Sequence, residues 1–231
     1  MREIVLDTET TGLDPARSHR VVEIGAVEIG NLIPTGRTFH VYIDPERDMP
    51  EEAFRVHGLS REFLVEHKKF AEIVEAFREF VDGAQLIIHN AEFDVRFLNA
   101  ELARLDLPLI ELASVIDTLA LARRRHPGAS NSLDALCQRY GVDTSRREKH
   151  GALLDAYLLA EVYAELMGGR QTTMSLSVEK KVAAQSNVQL VRRRLTPLSG
   201  HLSAQEDEAH RALAASLGKA PIWQRYLSEQ T

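Results

Sequence analysis

Ile4-Val5-Leu6-Asp7-Thr8-Glu9-Thr10-Thr11-Gly12, near the N-terminus, constrains this chain more than any other stretch. The apolar residues read as a strand driven into a core. The strand ends in two acids and a turn. Asp7 and Glu9 are two positions apart, so on a strand both carboxylates point to one face. Carboxylates held that close are costly unless a cation lies between them. A divalent metal is the simplest cation, because Mg2+ and Mn2+ favour carboxylate oxygens. An edge strand carrying two solvated acids would have the same local sequence, so other parts of the chain must decide.

The 231 residues suffice for one full domain and a smaller appendage. After the first strand, read over 2–7, Thr10 to Arg20 is rich in turn residues. Val21 to Ile29 largely alternates, as a half-buried strand does. Arg37 to Ile43 gives a third strand, stopped by Asp44-Pro45. Strands this close together predict an antiparallel meander. The pattern then turns helical. Pro50 and two acids open a short helix, and Ser60 caps a second. Ile73, Val74, Phe77, Phe80 and Val81 form the apolar stripe of a helix over 70–81. A buried strand follows over 84–90, and a helix carrying Phe93 to Leu105. Later helices are expected over about 114–124, 132–140 and 152–166. Strands first, then helices around a returning strand, predict an α/β fold with a mixed sheet.

The net charge of −6 removes a generally basic surface. Nucleic-acid binding survives that, since bound metal ions can meet phosphates over an acidic site. The single cysteine, Cys137, permits no internal disulfide and reads as a small buried hydrophobe. No signal peptide and no long apolar span are visible, so a cytoplasmic protein away from any membrane is expected.

Two further pieces carry acids. Asp94 lies four residues after Asn90, about one turn into a helix that follows a buried strand. An acid there can equally serve the helix dipole. His150 precedes Asp155 by five residues, a spacing that does not put two side chains on one helix face. The pair can meet if His150 sits on the polar loop before the helix and Asp155 points back from its first turn. Such a His could swing over a substrate. A surface His beside a capping acid remains the plain alternative.

In this order and spacing the set resembles the DEDD exonuclease superfamily, in the subgroup whose third motif carries His. Ile4–Gly12, Val22–Glu28, Val56–Leu59, Asn131–Cys137 and His150–Ala156 look like the corresponding stretches of the epsilon proofreading subunits of bacterial DNA polymerase III. The resemblance spans residues 1 to about 176, and the acidic set shows no departure from it. It implies a ribonuclease H-like fold, with a mixed five-stranded sheet flanked by helices. It implies 3′→5′ hydrolysis of a terminal phosphodiester of a DNA 3′ end, releasing nucleoside monophosphates. Two divalent cations, Mg2+ or Mn2+, about 3.5–4 Å apart would serve that chemistry. By the family's motifs Asp7, Glu9 and Asp155 hold one ion, Asp7 bridges to the second, and Asp94 holds its waters. His150 is the implied general base, and an imidazole's ordinary pKa near 6.5 suits the task. Glu52 and His57 belong by resemblance to the pocket for the terminal nucleotide, which Thr10 approaches with its backbone. From the residues alone, His57 is a surface His in a turn.

Composition changes at Gly168-Gly169. Arg170, Lys180, Lys181, Arg192, Arg193 and Arg194 face only Glu179 up to residue 195, with weak periodicity. The expected organisation is an exonuclease domain over 1–168, a flexible linker over 169–200 and a C-terminal segment over 201–231. Gln171, Met174 and Leu176 resemble the short peptide by which such subunits bind the sliding clamp. The family's tail binds the polymerase alpha subunit. Ser203 to Tyr226 has helical pattern, and the only Trp stands at 223. That end fits a partner-binding segment or a tail helix packed back on the main domain. Three functions remain in play: a proofreading deoxyribonuclease, an RNA-trimming relative, and a non-catalytic scaffold between polymerase and clamp. The acids alone do not separate DNA from RNA, which differ at the 2′-OH. The clamp-like peptide and the long tail favour the first, and the intact acidic set argues against the last.

Overall fold

Residues 2–145, 149–168 and 203–216 are described by a computed structural model. The chain divides into two units, residues 1–176 and 177–231. The first holds a five-stranded sheet of order β3-β2-β1-β4-β5. Its strands are β1 (Glu3–Thr10), β2 (Val21–Gly30), β3 (Ile33–Tyr42), β4 (Gln85–Ile88) and β5 (Val115–Asp117). The helices are α1 (Glu51–His57), α2 (Arg61–Leu64), α3 (Phe70–Val81), α4 (Ala91–Ala103), α5 (Thr118–Arg125), α6 (Leu133–Tyr140) and α7 (Ala152–Leu166). In the second unit only one helix, α8 (Ala204–Ser216), is described. Gln171, Met174, Leu176 and Trp223 lie outside the described residues.

The opening meander is present: β1 pairs antiparallel with β2, and β2 with β3. β4 pairs parallel with β1, and β5 parallel with β4, so the sheet is mixed. Alternation sorts the core. Ile4 and Leu6 of β1 face α3 and α4, packing with Phe70, Phe77, Val95 and Leu98. Val5 faces the other way, onto Ala156, Leu159 and Tyr163 of α7. Burying each such large apolar side chain stabilises the fold by roughly 1.5–3 kcal/mol.

The structure differs from the sequence reading at four places. β1 does not stop at Asp7 but runs through Glu9 to Thr10, because β2 pairs with it that far. β2 is buried on both faces rather than half-buried: Ile24 and Ala26 meet the α3/α4 side while Val27 and Ile29 meet α7. β3 begins at Ile33 rather than Arg37, since Asn31 and Leu32 both take positive φ (51° and 66°) and fold β2 straight back. The start of the helix expected over 114–124 is a three-residue strand, β5, which extends the sheet beside β4.

Candidate active site

The parallel pairing of β1 with β4 ends at Val5↔Ile87, so β1 runs on past the end of β4. Asp7 and Glu9 occupy this free length, on the face that looks toward α7. Thr8, between them, looks toward α4. Its backbone N–H has no strand to bond. Asp94 takes it instead: Asp94 Oδ1 accepts from Thr8 N at 3.1 Å and from Thr8 Oγ1 at 2.6 Å. A buried N–H without a partner is rare and costly, so this bond fixes α4 against β1. The turn that allows it is made by Asn90, at φ 63°, between the end of β4 and the start of α4. Asn90 N donates to Asp117 Oδ1 at 3.1 Å, which ties the turn to the end of β5.

The fourth acid arrives from the face opposite α4. α7 starts at Ala152, and Asp155 sits in its first turn with only 4% exposure. His150 lies just before the helix. Its Nδ1 is 3.2 Å from Asp155 Oδ2. Its backbone N–H donates to Val56 O at 3.3 Å, so the His expected to swing is held at two points. Glu9, His150 and Asp155 each offer a ligand atom, all within 4.8 Å of one another. The structure thus brings Asp7, Glu9, Asp94, His150 and Asp155 together.

Burial and mutual repulsion oppose ionisation of the cluster. Burial pushes the Asp7 carboxyl well above its ordinary pKa, and Asp94, Glu9, Asp155 and Glu23 push it further. Burial raises Asp94 to about 7 against the opposing pull of its Thr8 hydrogen bonds, and Asp117 adds to the rise. Each of these carboxyls resists ionising in the bare protein. Hard oxygen donors, desolvated and converging, suit a divalent cation, which would reverse the electrostatic logic of the site. The donor set therefore fits a metal held by Asp7, Glu9, Asp94 and Asp155.

A cavity of about 650 Å³ opens beside Glu9. Thr10, Glu52, His57, Phe93 and Leu13 line it, and its size lies within the roughly 300–1,000 Å³ of small-ligand sites. His57 is not the surface residue that its turn suggested. It is 5% exposed, at the C-terminal end of α1, where Gly58 at φ 76° ends the helix. Its Nδ1 accepts from Leu59 N at 3.0 Å, which puts the proton of the neutral ring on Nε2. That Nε2 is buried and makes no hydrogen bond. Burial holds the ring below its ordinary pKa, only partly offset by Glu23 and the Thr10 carbonyl. Arg20, just before β2, grips the buried Glu101 of α4 with its guanidinium at 2.6 and 2.8 Å.

Four contributors escaped the sequence reading. Thr8 holds Asp94. Glu23, the cross-strand partner of Glu9, adds a buried carboxylate bonded to His40 at 2.7 Å. Phe93 lines the cavity. Gly25 lies opposite Asp7. The acids and glycines inside the otherwise apolar β2 were the available signals for Glu23 and Gly25.

With the geometry in place, the chain can be set beside known proteins. A family model described as Exonuclease matches residues 4–163. The DNA polymerase III subunit epsilon of Rickettsia conorii is 59% identical over 179 residues, covering 76% of this chain and 78% of that relative. The subunit of the same name from Escherichia coli K12 is 43% identical over 236 residues, covering 96% and 97%. Among solved structures, the nuclease domain of 3′hExo, a DEDDh family member bound to rAMP, superposes with a TM-score of 0.63 at 17% identity, covering 72% of this chain and 91% of that one. Exonuclease X in complex with 5′ overhanging duplex DNA gives a TM-score of 0.55 at 24% identity, covering 71% and 90%. These two likenesses concern the fold, which is the ribonuclease H-like exonuclease architecture. The chain belongs to the exonuclease family and, within it, to the DNA polymerase III epsilon subunits.

Proposed function

We propose that the protein is a 3′→5′ exodeoxyribonuclease that removes mispaired nucleotides from primer ends as part of a replicative DNA polymerase. One observation carries this: four carboxylates from β1, α4 and α7 converge with His150 beside a nucleotide-sized cavity. Asp7, Glu9, Asp94 and Asp155 would hold two divalent ions, Mg2+ or Mn2+. When bound, such ions neutralise the phosphate and acidify an attacking water. His150, its ring oriented by Asp155, would serve as the general base for the attacking water. The terminal nucleotide enters the cavity, with the buried His57 ring in its wall. Glu52 and the Thr10 backbone complete its seat, with Glu9 at the rim.

The relatives' printed names, each a polymerase subunit, support a place in a polymerase complex, and on this reading that complex works in the cytoplasm. On this reading residues 1–168 are the exonuclease domain and 169–200 a linker. Gln171, Met174 and Leu176 bind the sliding clamp, and residues 201–231 bind the polymerase alpha subunit. The deciding experiment offers matched 3′ DNA ends, mispaired 3′ DNA ends and single-stranded RNA, each with and without Mg2+. Metal-dependent release of nucleoside monophosphates, fastest at mispaired DNA ends, is expected. Preference for RNA, or activity undiminished by chelation, would overturn the proposal.

A further inference from the structure

Gly25 sits in the middle of β2, directly opposite Asp7 of β1. It faces α7, as its neighbour-but-one Val27 does. A Cβ added there would lie 2.1 Å from Leu153 N, 2.2 Å from the Ala152 carbonyl carbon and 2.4 Å from Leu153 Cα. All three are backbone atoms of the first turn of α7, so no side-chain rotation relieves the contact. Gly25 is not among the positive-φ residues, so its backbone does not itself require glycine. Space is what excludes a side chain. A glycine inside a strand weakens it, and a close backbone approach is the usual reason for one.

We propose that Gly25 is a positioning residue for the nuclease centre: its missing side chain lets the first turn of α7 touch the sheet, which delivers Asp155 and His150 to Asp7 and Glu9. The distances carry this. Ala152 touches the strand at Gly25, and Asp155 lies three residues on, along the same face of the helix. Asp155 N donates to Gly151 O at 2.9 Å, so the carboxylate is rigidly coupled to the turn that Gly25 receives. His150 is joined in turn to Asp155. Carbon atoms pack at about 3.5–4.0 Å. A methyl group at position 25 therefore moves the turn outward by about 1 Å or more, and a misplacement of that size can cost on the order of 10²-fold in rate.

The inference rests on the proposed role of Asp155 in holding a divalent ion. Gly25→Ala is the test, measured on the full chain. Expected are a fall of about 100-fold in kcat and a weakening of about 10-fold in the affinity for Mn2+ alone by calorimetry. KM for a DNA 3′ end should stay within about threefold. Gly30→Ala, where a Cβ meets only Thr35 Cγ2 at 3.5 Å, should match the parent in all three. If Gly25→Ala melts earlier but keeps the parent's Mn2+ affinity and kcat per folded molecule, Gly25 is structural only and the proposal is wrong. Should Gly25→Ala not fold, Ala152→Val thickens the same contact from the helix side. An unchanged Mn2+ affinity there overturns the proposal equally. Asp155→Asn separates the two readings. If it leaves Mn2+ binding intact, the metal assignment fails; if it abolishes binding while Gly25→Ala does nothing, only the positioning role fails.

Discussion

Asp94→Asn should stabilise the metal-free protein at alkaline pH while abolishing its nuclease activity. An unfolded chain's aspartate titrates near 3.9, and the folded Asp94 at about 7. Below pH ~4 both states keep the proton, and the buried acid costs nothing. Between about 4 and 7 the unfolded state ionises and the folded state does not, so stability drains away as pH rises. Above about 7 the loss is complete: roughly three units at ~1.4 kcal/mol each, or ~4 kcal/mol. An asparagine carries no such cost, and its carbonyl oxygen can still accept from Thr8 N and Oγ1. For a domain of this size ~4 kcal/mol corresponds to about 8–16 °C in melting temperature. The assay is thermal unfolding in EDTA from pH 4 to 8.5. The variant should melt with the parent at pH 4 and well above it at pH 8. Excess Mg2+ should narrow the gap by stabilising the parent, whose acids then have their counter-charge. A variant that melts no higher than the parent at pH 8, or an offset independent of pH, would refute the electrostatic account of the site.

Asp7→Asn should abolish metal-dependent hydrolysis while far-ultraviolet circular dichroism stays that of the parent; residual turnover above about 1% would remove Asp7 from the centre of the site. His150→Ala should slow single-turnover cleavage by about 10²–10⁴-fold, the usual worth of a general base, while DNA affinity by fluorescence anisotropy changes little. Equal losses in both would make His150 a binding group. Glu101→Ala leaves the Arg20 guanidinium without its buried partner, and should cost about 3–5 kcal/mol in urea unfolding. A loss below about 1 kcal/mol would show that this ion pair does not hold α4 in place.

What the chain announced was what is local. β1 and its acids are contiguous, and period-two alternation alone puts Asp7 and Glu9 on one face. The N-cap Ser60, the amphipathic α3 and the start of α7 near Gly151 are also written in short windows, and the structure has all three. β5 was hidden because three residues running straight into a helix carry no period of their own. The burial of His57 was hidden because its cover comes from elsewhere in the fold: Glu23 and Thr10 approach from β2 and β1, Lys149 and His150 from the segment before α7. The double burial of β2 depends likewise on helices that follow it much later in the chain. For the acids, each motif's carboxylates were legible, but the reason that they meet was not.

That reason lies in the unequal lengths of β1 and β4. Along most of a sheet a strand separates what lies on its two faces, because its neighbours close both edges. β1 outruns β4, since their pairing ends at Val5↔Ile87 while β1 continues to Thr10. Past that point one edge of β1 is open. α4, from one face, can reach around it, and Asp94 takes the strand's own Thr8 N–H. α7, from the other face, is let in by Gly25 and brings Asp155. Acids from opposite sides of the sheet thus converge on Asp7, which feels Asp94, Glu9 and Asp155 at once. The same open edge that leaves a backbone donor to be capped makes a place where carboxylates crowd and repel one another. A divalent cation suits such a place, and a phosphate can follow the cation in. Lengthening β4 by two residues would close that edge and displace Asp94 while leaving every other acid where it is. The metal affinity of such an insertion variant therefore measures how far the unpaired end of β1, rather than the acids alone, makes the site.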